Sequence, residues 1–406
     1  MKDRTLVILF ALTALLLFAS ALQQATGLIH CKALNGVMEE TAKPKVSFAS
    51  FRDGSLQAST EAYLKQHYGF HEPLTRLNNQ ARWTLFRYSQ VVEDGRIVVT
   101  PDNWIFETMT VEEYYQSRVY YDDIDYSEKL YNDFEAEAQR LLELQRLLEP
   151  YGTHLFVALL PGKEQICAEH LPKNPKYFKE KKTTAYEFYS KRLKELGVNH
   201  VDFAEWFMQM KDTVSYPLFP QTGTHWSILA AQHSADSLVR YMEDLADINI
   251  SNICLGPDFQ RTLLADKDLE SLMNLIWPLK KQPNRLSYAY SDSDTTAERP
   301  ILITVGDSFY WNIINFSQIG TVFERIPYWY YNSTAYYSGD DLSKSQKVKD
   351  LDVLQMVLDA DFVMISYSTI QLYQMSNCFS QSLLDKLKQH QTEQVQTHGR
   401  ASQLNN

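Results

Sequence analysis

The chain has 406 residues, with 39 Lys plus Arg against 50 Asp plus Glu and a formal net charge of -11. A 45% hydrophobic content with only 14 Gly and 14 Pro excludes a collagen-like, low-complexity or wholly disordered chain. An acidic chain with no long basic run also argues against a nucleic-acid binder.

Lys2, Asp3 and Arg4 precede an apolar stretch from Leu6 to Leu22 that continues to Ile29. Ala19-Ser20-Ala21 fits a secretory cleavage site, and the length also suits a bilayer span. Residues 1–29 are therefore read as a signal peptide or an N-terminal membrane anchor, either of which carries the rest of the chain out of the cytoplasm. Residues 30–50 are polar and read as a linker. The folded body is expected over 51–388, and 389–406 reads as a frayed polar tail.

The body opens on an irregular lobe, with a helical stretch at Leu56, Tyr63 and Leu64 and β-rich pieces at Val91-Val92, Ile97 to Val99 and Trp104 to Phe106. Leu130, Phe134, Ala138, Leu141, Leu144 and Leu148 recur at helical spacing, and Pro150 stops that helix. A strand from Thr153 to Leu160, a helix from Thr184 to Leu196 closed by Gly197, and a strand from Val198 to Phe203 follow as a βαβ unit. Another helix runs through Leu229, Leu238, Tyr241 and Leu245, then a less regular acidic region to Leu279 and a polar loop from Lys280 to Arg299. Ile301 to Val305 has the length of a buried strand. Thr321 to Tyr331 and Asp361 to Ser366 read as two more strands, with a helix from Leu351 to Leu358 between them. Alternating short strands and helices predict an α/β fold with a mostly parallel sheet covered on both faces.

In such a sheet, ligands bind where loops leave the carboxyl ends of the strands. Gly306-Asp307-Ser308-Phe309 lies in one such loop. Gly306 permits a tight turn, Ser308 projects a hydroxyl, and the backbone at Ser308 offers N–H groups to an oxyanion; the plainer reading is a helix cap. A serine needs a base, and His225 in Thr222-Gly223-Thr224-His225-Trp226-Ser227 is the best placed of the 10 histidines. Its plainer reading is packing on Trp226. Cys31, Cys167, Cys254 and Cys378 are widely spaced and form no CxxC pair, so neither a metal site nor a disulfide scaffold is expected.

Gly306-Asp307-Ser308-Phe309 after an apolar strand, with Thr224-His225-Trp226-Ser227 lying 83 residues upstream, resembles the AlgX/AlgJ family of polysaccharide (alginate-type) O-acetyltransferases. Pro161-Gly162-Lys163-Glu164-Gln165, Glu169-His170-Leu171-Pro172, Trp104-Ile105-Phe106 and the segment from Arg325 to Asn332 agree with it. The resemblance implies an SGNH-hydrolase-like three-layer fold with the Ser and His motifs in reversed order. It implies extracytoplasmic transfer of acetyl onto hydroxyls of an exported polysaccharide in the periplasm, by a chain tethered to the inner membrane if the N-terminal segment is retained. The donor acetyl would arrive through a membrane-bound O-acyltransferase, and no cofactor is needed.

Ser308 matches the family nucleophile and His225 the general base. Gly223 stands where the family has the acid that orients the imidazole, so that acid is sought elsewhere, at Asp212, Glu205 or a backbone carbonyl. Arg325, Tyr328, Trp329 and Lys163 are candidate substrate-binding residues. Two other readings stay open, an acetyl esterase of the same fold and a non-catalytic glycan-binding or assembly component.

Overall fold

The computed structural model describes residues 2–36, 41–116, 127–173, 182–292, 294–337 and 344–404. Residues 37–40 of the expected linker and 405–406 of the expected tail lie outside them. Where the sequence suggested one body over 51–388, the chain divides into two compact units, Met1–Gly95 with Leu269–Lys280, and Arg96–Asp268 with Lys281–Asn406.

The first unit is helical. Helix α1 (Lys2–Thr26) includes Arg4–Thr26, which is long and apolar enough to cross a membrane. Helix α2 (His71–Phe86) buries Trp83 and Gln80. The distant segment 269–280 joins this unit through polar contacts. Asn274 pairs with the backbone of Asn35, Asn79 Nδ2 donates to the Met273 carbonyl, and the Trp277 N–H donates to Gln80 Oε1.

The second unit holds a seven-stranded sheet made of β1 (His154–Leu160), β2 (His200–Asp202), β3 (Leu302–Gly306), β4 (Tyr328–Tyr330), β5 (Thr334–Tyr336), β6 (Gln346–Lys347) and β7 (Phe362–Ser368). The spatial order is β6-β5-β4-β3-β7-β1-β2; the pairs from β4 to β2 are parallel, and β5 and β6 add an antiparallel edge.

Side chains alternate between the two faces of a strand, and the core divides accordingly. Leu155, Val157, Leu159, Val363 and Ile365 pack with residues of α4 (Glu128–Leu148), α5 (Ala185–Leu196), α9 (Val353–Leu358) and α10 (Phe379–Leu404). Phe156, Ala158, Leu160, Phe362 and Met364 pack instead with α6 (Phe203–Met210), α7 (Ile228–Ala246) and α8 (Tyr310–Phe316). The result is a three-layer arrangement with helices on both faces of the sheet, and α3 (Thr108–Tyr115) lies ahead of it in the chain.

The helices start where local chemistry favours it. Thr184 and Glu187 form a reciprocal capping box at α5, and Gly197 closes that helix at φ 73°. Ser227 caps α7 through the Ala230 N–H. Gly306 ends β3 opposite Ser366 of β7, where any Cβ would stand 2.4 Å from the Ser366 carbonyl oxygen. Only glycine lets the two backbones approach so closely there.

Four expected elements differ. Val91-Val92 forms a helical turn, Gln90–Glu93, because the flanking Ser89 and Gly95 close a compact turn that outweighs β-branched propensity. The strand expected over Thr321 to Tyr331 shrinks to Tyr328–Tyr330, since Ile319–Thr321 coils into a 3-10 turn. The polar loop from Lys280 to Arg299 contains two short strands, Arg285–Leu286 and Ala289–Ser291, whose partners lie far back in the chain at Phe259–Gln260 and Ile253–Leu255. The expected frayed tail is helical to Leu404, supported by spaced pairs such as Gln389 with Glu393 rather than by apolar burial.

Candidate active site

The loop after β3 is fastened from below. Asp307 is fully buried; its Oδ1 accepts from the Phe309 N–H at 3.1 Å, and its Oδ2 accepts from both the N–H and the hydroxyl of Ser368 at the end of β7. Burial pushes the Asp307 carboxyl above the usual range, and the Ser368 bonds oppose that rise. Tyr328 donates its hydroxyl to the Asp307 carbonyl. Ser308 therefore leaves a rigid turn, partly exposed, and its own N–H has no hydrogen-bond partner among the described residues.

The loop before α7 is tied to that turn twice. Trp226 Nε1 donates to the Phe309 carbonyl at 3.0 Å, and Asn312 Nδ2 donates to the Trp226 carbonyl at 2.9 Å. Between these ties His225 faces Ser308, with Nε2 3.0 Å from Oγ. Its other ring nitrogen, Nδ1, lies 3.0 Å from Asp268 Oδ2. Asp268 Oδ1 also accepts from the Thr224 N–H at 2.8 Å, so one carboxylate holds both the ring and the backbone that carries it.

A carboxylate only accepts, so Nδ1 carries the proton and Nε2 is left to take one from Ser308. Burial by itself would lower the His225 pKa, but the hydrogen bond and charge of Asp268 outweigh it, and the net shift is upward.

Asp268 was missed in the sequence. Asp212 and Glu205, considered for this role, are both exposed and neither reaches the histidine. The acid instead arrives 43 residues after His225, in the acidic stretch that looked irregular. The signal open to a sequence reader was only that several acids cluster there. Gly223 makes room for it: a Cβ on Gly223 would lie 2.9 Å from the Asp266 backbone carbon and from Pro220 Cγ.

The candidate substrate-binding residues fare differently. Lys163 is 2% exposed, and its Nζ donates to the carbonyls of Ile105, Gln221 and Gly223 at 2.6, 3.1 and 2.6 Å. It braces the loop that presents His225 rather than meeting substrate, and burial pushes its ammonium down to about 7. Tyr328 and Trp329 are 1% and 0% exposed, so neither offers a face for a sugar to stack on. Arg325 is exposed but bridges Ile301, at the amino end of β3, which puts it roughly 17 Å of strand away from Gly306. Tyr331, which follows Trp329 by two residues, has its hydroxyl beside Ser308 and stands in the left-handed region at φ 47°.

A family model described as "SGNH hydrolase-like domain, acetyltransferase AlgX" matches residues 97–300, half of the chain. The chain belongs to this family. By that membership it is an acyltransferase, with the SGNH-hydrolase-like fold that the two motifs implied. No curated protein matches it significantly.

Among solved structures it is similar to the O-acetyltransferase domain of Pseudomonas putida AlgJ, at 14% identity over 68% of this chain and 92% of that one, TM-score 0.44. It is also similar to Pseudomonas aeruginosa AlgX, at 13% identity over 74% and 69%, TM-score 0.41. A third is Bacillus cereus PatB1 with a sulfonyl adduct, at 13% identity over 68% and 95%, TM-score 0.42. The family assignment rests on the sequence match alone.

Proposed function

We propose that this AlgX-family protein transfers acetyl, through an ester on Ser308, to hydroxyls of an exported polysaccharide. The observation that supports this reading best is the unbroken Asp268–His225–Ser308 relay, with both hydrogen-bond distances at 3.0 Å. As Ser308 Oγ attacks the carbonyl carbon of the donor ester, His225 Nε2 takes its proton, and the Ser308 N–H is placed to stabilise the oxyanion. Collapse breaks the bond to the donor oxygen, which leaves with the proton from Nε2, and acetyl remains on Oγ. In the second half an acceptor hydroxyl gives its proton to Nε2, its oxygen attacks the acetyl carbon, and Ser308 regains its proton.

The non-catalytic reading rests on the missing acid at 223, and the contact of Asp268 with His225 Nδ1 favours the catalytic reading over it. To test the transfer reading, the purified full chain is incubated with an acetyl-ester donor and oligosaccharides, with Ser308→Ala as the blank. Mass spectrometry should find acetyl on the Ser308 peptide and on the glycan. Free acetate with no acetylated glycan would make it an esterase, and an unlabelled Ser308 would remove the acyl-enzyme altogether.

We further infer that α1 either anchors the protein in the inner membrane or is cleaved after export, with the catalytic unit in the periplasm, where a membrane-bound O-acyltransferase supplies the acetyl. A C-terminal reporter active only outside the cytoplasm should be active on the full chain and silent once residues 1–29 are removed. Activity after that deletion would contradict the location.

A further inference from the structure

The short strand Ile105–Glu107 lies against the loop that presents His225. The Ile105 N–H donates to the Gln221 carbonyl at 3.0 Å, and Lys163 Nζ ties the Ile105 carbonyl to those of Gln221 and Gly223. Phe106 is fully buried in the core, and alternation along the strand puts Glu107 on the opposite face. Glu107 is half-buried and stands at the start of α3, yet its side chain does not cap that helix. Its carboxyl instead bonds the Thr224 hydroxyl, one residue before His225.

Thr224 is thus held at two points, by its hydroxyl to Glu107 and by its N–H to Asp268 at 2.8 Å. The charged groups facing Glu107 are His225, Asp268 and Lys163, and Glu164 and the Tyr331 hydroxyl beside Ser308 also lie in its field. Those facing His225 are Asp268, Glu107 and Asp307. Burial raises the Glu107 carboxyl above its ordinary range, opposed by the charges of His225 and Lys163 and by the Thr224 bond. Its charge in turn favours the protonated imidazole, though less than Asp268 does.

We propose that Glu107 is a second positioning residue for His225, gripping Thr224 by its hydroxyl while Asp268 grips the N–H, and setting a carboxylate beside the ring as it becomes a cation. The effect on rate rests on the acyl-transfer reading; the effect on the ring does not.

The full-length protein in detergent, with its histidine rings labelled for NMR, is titrated as wild type and as Glu107→Gln, with His225→Asn to assign the signal. In Glu107→Gln the His225 ring should titrate at lower pH, because one charge that favours its protonated form is gone. Acetylation of the protein by p-nitrophenyl acetate should slow about fivefold or more, and its acid limb should move the same way. That move should be smaller than on loss of the Asp268 carboxylate, whose influence on the ring is larger. Thr224→Val, which frees the Glu107 carboxylate from the loop, should move both readouts in the same direction, and Thr224→Ser should move them less. This pair carries the test if Glu107→Gln does not fold.

A carboxylate that only braced the strand would change the melting temperature and leave the titration in place. An unmoved His225 titration in a folded variant, or an unshifted acid limb with a rate within about twofold of wild type, would overturn the proposal. If Ser308 is never acetylated, the acyl-transfer reading fails while the NMR titration still decides the role of Glu107. Conversely, an unmoved titration leaves an acetylated Ser308 in place.

Discussion

Asp268→Asn is expected to lower kcat about 10⁴-fold with KM little changed, the size of loss seen when a serine protease loses its orienting acid. The reason lies in the two bonds that Asp268 makes. Its carboxylate fixes the proton on Nδ1 of His225 and anchors the Thr224 N–H, and an amide at the same place can donate to Nδ1 and so impose the wrong tautomer.

The pH profile gives a second readout. A histidine acting as base must be neutral, so activity is lost as pH falls through its pKa, which Asp268 holds above the ordinary value. Without the carboxylate, burial, which lowers that pKa, is opposed only by the charges of Glu107 and Asp307, the smaller of the raising influences, so the acid limb of kcat should move to lower pH even as the plateau collapses. Steady-state kinetics from pH 5 to 9 on both proteins check this. An unshifted limb with a rate within about tenfold of wild type would show that Asp268 does not orient the base.

Gly223→Asp should also be damaging, by roughly 10²-fold or more, although it installs the acid at the position expected from the family pattern. A side chain there meets the backbone of Asp266 and the ring of Pro220 at 2.9 Å, and neither is the loose end of a flexible chain. Relief requires the segment from 264 to 268 to move, and that segment carries Asp268. A displacement of about 1 Å in a supporting group is enough for a loss of that order. Activity assays with a melting curve on the same preparation decide the matter. A rate equal to or above wild type would mean that the histidine was poorly oriented to begin with.

How much of this was legible in advance depended on whether the signal was local. Strand β3 and the turn at Gly306 announce themselves through an apolar run ending in Gly-Asp-Ser, and α4 through its leucine spacing; both lie in contiguous sequence. The pairing of His225 with Ser308 was legible because the family order of the two motifs is preserved. Asp268 was not, since nothing in residues 220–227 says which of many later acids will fold back onto them. The burial of Tyr328, Trp329 and Lys163 was equally hidden. An aromatic run on a strand and a lysine after one look the same whether solvent or another segment covers them. The helical segment past Gln389 escaped because helix propensity without an apolar stripe leaves no periodic mark.

The close approach of the 264–268 segment to Gly223 also has an evolutionary side. With that segment in place, position 223 has no room for a carboxylate, and with a carboxylate at 223 the segment could not lie where it does. Gly223 and Asp268 are therefore expected to vary together among relatives. A survey that looks only for an acid two residues before the histidine would pass over a chain whose carboxylate reaches Nδ1 from another stretch of backbone, as Asp268 does here.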